Sequence, residues 1–170
     1  RLSSEAYLEK ARDELQDGAH DEAITAIDQA IAVYKGQTGK EALQQGNALR
    51  LLRAQLLTQI GRFELAIADL QNFTTQQPQN FEALITLASL YASMEQWESL
   101  EAVIKPIAQR PELRDVVLYL EGRAALAKKR VGTARAKFEA SIQALPKEAE
   151  LLRRSLFFYR GLCLQKLGRH

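Results

Sequence analysis

The chain has 170 residues, 46% of them hydrophobic and 26% charged, with a formal net charge of +2; this is the profile expected of a soluble globular protein with a real core. No apolar run approaches the ~18 residues needed to cross a bilayer, and no signal peptide is visible. Cys163 is the only cysteine and His20 and His170 are the only histidines, so an internal disulfide is excluded and a metal or haem site is not expected.

The small net charge hides a split. Residues 1–104 carry 8 Lys/Arg against 15 Asp/Glu, and residues 105–170 carry 15 against 6, giving −7 and +9. Such an asymmetry marks either two solvated faces of opposite sign or ends that attract each other.

Pro and Gly are few, and β-branched residues are sparse beside Ala, Leu, Gln, Glu and Arg, which favours helix nearly throughout. In chain order, SSEAYLEKARDELQ reads as an amphipathic helix, followed by a turn at Gly18 and a second helix in DEAITAIDQAI. Then comes GQTGKE, residues 36–41. It has the look of a phosphate loop, but only Gln37 and Thr38 separate its glycines, and Glu41 stands where a magnesium-holding hydroxyl is required. Its flanks are helical, so it is a connector. ALRLLRAQLLTQ, a turn at Gly61, and FELAIADLQNFTTQQP follow. FEALITLASLYAS comes next, with Asn80 as its N-cap, then WESLEAVIKPIAQRP. DVVLYLEGRAALAK, a turn in the exposed run Lys128-Lys129-Arg130, and GTARAKFEASIQALP come after these, with Pro111 and Pro146 fitting the first turn of a following helix. LLRRSLFFYRGLCLQKLG stands last, with Cys163 among apolar residues as a buried thiol.

These segments repeat. The second helices share an anchor spacing: Ala23, Ile27, Ala30, Ile31; Ala66, Leu70, Phe73; Leu100, Ile104, Ile107, Ala108; and Ala134, Phe138, Ser141, Ile142. Pro78, Pro111 and Pro146 close three of them. The turn positions Gly18, Gly61, Glu95, Lys129 and Gly168 are 43, 34, 34 and 39 residues apart. Leu87-Ala88 with Tyr91, Gly61 with Ala66, Leu70 and Pro78, and Ala134 with Phe138 and Pro146 carry the motif.

The pattern resembles the tetratricopeptide repeat, a 34-residue helix–turn–helix. The resemblance implies an all-α, right-handed α-solenoid, because one hairpin cannot bury its apolar face alone and stacked neighbours can. Residues 1–170 are expected to form a single such domain, with repeats near 4–35, 47–80, 81–112 and 115–148 and a partial one at 150–170, as a piece of a longer protein. Gly122 and Gly161 would occupy the small position of the first helix, where two helices approach closely. Repeat two departs from the family by placing Arg50 and Arg53 at usual core positions, which implies a rotated helix or arginines that reach outward. The last helix, with Leu156, Phe157, Phe158, Tyr159, Leu162 and Leu164, is too apolar all round for a polar cap, and its ending LGRH is expected to lead into a further turn.

The resemblance further implies a concave groove lined by the first helices. The register places Leu8, Arg12, Leu51, Leu52, Gln55, Glu82, Ile85, Ser89, Tyr119, Arg123, Phe158 and Tyr159 there. Members of the family that grip an acidic chaperone C-terminus use Lys and Asn, then Asn, then Lys and Arg; this chain has Leu8 and Arg12, Leu52, then Glu82 and Thr86. That carboxylate clamp is absent. What is left is a groove with apolar stripes, suited to a peptide or partner subunit with hydrophobic anchors.

The reading is therefore a non-catalytic protein-interaction scaffold without cofactor, with self-assembly through the two oppositely charged halves or the terminal helix as the alternative. Nucleic acid is not expected, since Tyr119, Phe158 and Tyr159 are the only stacking platforms near the cations. No nucleophile elbow or metalloprotease motif is present, and the carboxylates Asp13, Glu14, Asp17, Asp21 and Glu22 read as surface charge. A lone thiol fits a reducing cytoplasm and survives a periplasm equally well.

Overall fold

The computed structural model describes residues 3–146 and 149–168, so the outer limits drawn at 1 and 170, the repeat boundary at 148 and the last two residues of LGRH lie outside the described residues. Among the described residues the fold is all-α and contains no strand. In order the helices are α1 (Ser4–Gln16), α2 (His20–Val33), α3 (Lys40–Gln59), α4 (Phe63–Gln76), α5 (Phe81–Ser93), α6 (Trp97–Ile107), a 3-10 turn (Pro111–Leu113), α7 (Arg114–Ala127), α8 (Val131–Ala144) and α9 (Glu150–Lys166).

Local chemistry sets the boundaries. The Ser3 hydroxyl accepts from the Ala6 amide at 3.2 Å and caps α1, and the Asn80 side-chain oxygen accepts from the Ala83 amide at 3.0 Å in the same way at α5. Pro106 lies within α6, one residue before its last, and its ring lacks the amide that would bond the Ala102 carbonyl, while the Ala108 amide still reaches the Ile104 carbonyl at 2.8 Å. GQTGKE is a connector only in its first half: Gly36 is left-handed, Gly39 caps α3, and Lys40 and Glu41 are already helical. The insertion between repeats is thus absorbed largely by lengthening α3 to 20 residues.

The same turn recurs at the four helix–helix junctions 18, 61, 95 and 129, and in each case the residue is left-handed: Gly18, Gly61, Glu95 and Lys129 have φ of 74°, 77°, 56° and 59°. The amides of Ala19, Arg62, Gln96 and Arg130 reach back to the carbonyls of Glu14, Leu57, Tyr91 and Ala125 at 2.8–2.9 Å, which is the Schellman closure. Glu95 and Lys129 hold the glycine conformation without being glycine.

The chain divides into two compact units, residues 1–83 and 84–170. In the first, α1 packs on α2, α2 on α3 and α3 on α4. Ala11, Ala23, Ala26, Ile27 and Leu56 are buried together, with Ile24, Ile31 and Ile60 against them; the alanines let the helices approach closely. In the second, α6 packs on α7, α7 on α8 and α9, and α8 on α9. Its core joins Ala134, Phe138, Leu145, Leu156 and Cys163. The buried Ser141 hydroxyl donates to the Asp115 carbonyl at 2.7 Å, tying α8 to the start of α7.

Of the two glycines expected at close approaches, Gly122 behaves so: a methyl there would lie 2.6 Å from the Phe138 ring. Gly161 is exposed and a methyl there would meet nothing; the described residues contain no second helix after the turn at Gly168 for it to approach, as α8 approaches Gly122.

Candidate protein-interaction site

In the first unit, residues of α1, α2 and α3 line a cleft of about 300 Å³. Four residues that the repeat register assigns to the groove, Leu8, Arg12, Leu52 and Gln55, converge on it. Leu15 joins them from the next turn of α1, and Ile27 of α2 forms part of its floor. Leu15 and Leu52 are 37% and 42% exposed, so their apolar surface remains available at the mouth. Leu51 is half-buried and does not line this cleft, being one residue and therefore about 100° round the helix from Leu52. Glu82 is exposed in the first turn of α5. Ile85 and Ser89 stand four residues apart on the same helix, half-buried and exposed.

In the second unit, Tyr119, Arg123, Phe158 and Tyr159 form one cluster. The Arg123 guanidinium lies 5.9 Å from the Tyr119 ring centre and 5.5 Å from that of Tyr159, and it donates to the Ala92 carbonyl at 3.1 Å. Two aromatic faces and one hydrogen bond hold it in place. Tyr159 meets Tyr119 edge-on at 5.9 Å and stacks on Phe138 at 5.4 Å. Phe158 leans edge-on against Tyr159 at 5.3 Å and is 67% exposed. Burial pushes the Tyr119 phenol above its ordinary pKa, while the Arg123 charge pulls it part of the way back.

Two features were not anticipated from the sequence. Arg53, one of the two arginines at supposed core positions, forks onto Asp69 with bonds of 2.7 and 2.5 Å and also bonds Asp28. It thereby ties α3 to α4 and α2. The bonds to Asp69, and secondarily to Asp28, hold the guanidinium above its ordinary pKa. Arg50 bonds Asn47 within its own helix at 3.3 Å. The second feature is a cleft of about 410 Å³ among α6, α7 and α8, floored by Ile104 and Ala124. On its rim Lys128 pairs with Glu101, and Glu121 pairs with Lys137 at 2.5 Å, while Lys105 and Arg130 add two further cations to the lining.

No helix among the described residues is long and apolar enough to cross a membrane. No family model and no curated protein matches the chain. Solved structures do. The chain is similar to MamA, residues 41 to the end, from Desulfovibrio magneticus RS-1, with a TM-score of 0.69 and 13% identity over 97% of this chain and 91% of that one. It is similar to a tetratricopeptide repeat protein from Parabacteroides merdae ATCC 43184, with a TM-score of 0.60 and 17% identity over 98% and 74% of the two chains. The tetratricopeptide domain of P58(IPK) aligns at a TM-score of 0.56 and 15% identity, over 98% of this chain and 48% of that one. The motif spacing, the recurring left-handed turn and these similarities agree: the chain has the helical-repeat fold of the tetratricopeptide-like proteins.

Proposed function

We propose that this chain is a non-catalytic interaction scaffold that grips a peptide or partner subunit through its first-helix faces. The observation that carries this reading is the convergence of Leu8, Arg12, Leu52 and Gln55 on one open cleft of about 300 Å³. These residues come from helices α1 and α3 and were selected by repeat register alone. Apolar walls with a few polar groups suit the hydrophobic anchors of an amphipathic segment. Each fully buried leucine or phenylalanine anchor stabilises the complex by about 1.5–3 kcal/mol. The polar members Arg12 and Gln55 then orient the bound segment. Leu8 and Leu52 offer no donor where a carboxylate clamp needs one, so a free acidic C-terminus is not the ligand.

Fluorescence anisotropy with labelled amphipathic peptides, set against a short acidic C-terminal peptide, tests the reading. Leucine- or phenylalanine-bearing peptides should bind, and Leu52→Glu should weaken them by roughly tenfold or more, the loss of one anchor's burial. Binding of the acidic C-terminus in preference, or indifference to Leu52→Glu, would overturn it.

A further inference from the structure

Among the large exposed apolar side chains, Leu15 and Leu52 flank the α1–α3 cleft, Leu151, Phe157 and Phe158 stand on α9 with Leu167 just after it, and Leu43 and Leu65 stand singly on α3 and α4. On α9 the stripe Leu151, Arg154, Phe158, Gly161 runs at three- and four-residue spacing, and every member is exposed. Leu151 and Phe158 are 82% and 67% exposed. Gly161 adds an open notch where another backbone can come close. Leu151 and Phe158 thus stand two turns apart on one face with Arg154 between them, an amphipathic stripe that a partner helix or groove can cover.

Charge indicates what covers it. Helix α9 carries Arg153, Arg154, Arg160 and Lys166 against Glu150 alone. Beside the cleft, the next stripe round α1 is Glu5, Glu9 and Asp13, all exposed and together outweighing Arg12. The wider halves of the chain repeat this, at −7 and +9. A cleft with an acidic flank and a helix with an exposed apolar face and basic flanks therefore occur on the same molecule.

We infer that the occupant of the α1–α3 cleft is α9 of a second copy of this chain, with Phe158 and Leu151 as anchors and Arg154 against the α1 carboxylates. The inference rests on the cleft reading above and names its partner. Because the two surfaces differ, the contact is heterologous and head-to-tail, and each added copy presents a fresh cleft or a fresh α9.

Light scattering on the full chain, across protein concentration and salt, tests this. Mass should climb in multiples of the 19.1 kDa monomer as concentration rises. It should fall back in high salt, where the screening length shrinks from about 10 Å to about 3 Å. Leu52→Glu and Phe158→Glu should each stay monomeric, with helicity by circular dichroism unchanged because both positions are exposed. Mixed in equal amounts they should give twice 19.1 kDa and no more, since each supplies one intact surface. Leu151→Glu provides a second blocked knob. A wild-type chain that remains monomeric throughout overturns the inference, as do single variants that associate like wild type or a mixture that stays monomeric. A monomeric chain that still binds amphipathic peptides through Leu52 would end self-docking and leave the cleft reading intact; loss of both would end both.

Discussion

Arg53→Met tests whether the first unit is held together by one guanidinium. The Arg53 side chain is 27% exposed and forks onto Asp69, whose side chain is 11% exposed; Asp28, the third member, is 48% exposed. An exposed pair contributes about 0.2–1 kcal/mol, whereas removing one partner of a buried pair costs about 3–5 kcal/mol. The Arg53–Asp69 contact lies between these limits and nearer the second, because the carboxylate left behind is almost out of water. Arg53→Met should therefore cost about 2–3 kcal/mol. Asp69→Asn should cost less, since Arg53 keeps Asp28 and some solvent. Asp28→Asn should cost about 0.5 kcal/mol. Urea unfolding followed by far-ultraviolet circular dichroism gives the free energies, and a double-mutant cycle on Arg53 and Asp69 isolates their coupling, expected at about 1.5–3 kcal/mol. The exposed pair Arg62–Asp21, at 43% and 68% exposure, is the internal control and should couple weakly. A coupling below about 0.5 kcal/mol for Arg53–Asp69 would show that water already reaches the pair and would refute the reasoning.

Glu95→Gly and Lys129→Gly should each raise stability by about 0.5–1 kcal/mol in urea unfolding, because the left-handed region costs a residue with a side chain about 1–2 kcal/mol and glycine returns part of that as unfolded-chain entropy. Burial raises the Cys163 thiol pKa, with Lys166 and Arg135 pulling it partly back; its reaction with a disulfide reagent at pH 8 should therefore track the fraction unfolded. The folded thiol keeps its proton to higher pH than the unfolded one, so this group's stabilising contribution should be complete below about pH 8 and decline above about 8.5, with that part of the slope gone in Cys163→Ala. Gly122→Ala should lose about 1–2 kcal/mol in urea unfolding, since its methyl would meet Phe138 at 2.6 Å and helix propensity offsets part of the clash; Phe138→Leu, which trims a fully buried ring, should cost less in the Gly122→Ala background than alone. Gly161→Ala should gain up to about 1 kcal/mol in the same assay, as its methyl meets open space.

The fold was legible because its signals are local and repeat. Turn position, anchor spacing and N-caps each reside in fewer than a dozen consecutive residues, so one register located Gly18, Gly61, Glu95 and Lys129 at equivalent junctions whether or not glycine was present. The cleft residues Leu8, Arg12, Leu52 and Gln55 were legible for the same reason, each fixed by its place in a first helix. The Arg53 bonds were not. Asp28 and Asp69 stand 25 and 16 residues away, and no period connects an arginine to carboxylates on two other helices. Reading Arg53 as a departure from the pattern was right about its position and silent about its partners. Gly161 is a different case: register gave its place on the helix, but the second helix expected to cover it would follow the turn at Gly168, beyond the described residues.

The contrast between Gly122 and Gly161 shows how packing and surface chemistry are joined in the second unit. At Gly122 the missing side chain lets the Phe138 ring reach the α7 backbone. Phe138, seated there, becomes the platform on which Tyr159 stacks at 5.4 Å. Tyr159 and Tyr119 then hold Arg123 between them, and Tyr159 supports the exposed Phe158 ring. One absent methyl inside the unit thus determines where a cation and an aromatic ring stand at its surface. At Gly161 the missing side chain supports nothing inside, and its consequence falls on whatever approaches from outside. The first glycine is a requirement of folding. The second becomes a requirement only if α9 has a partner, which is why a methyl there should leave the fold sound and weaken association.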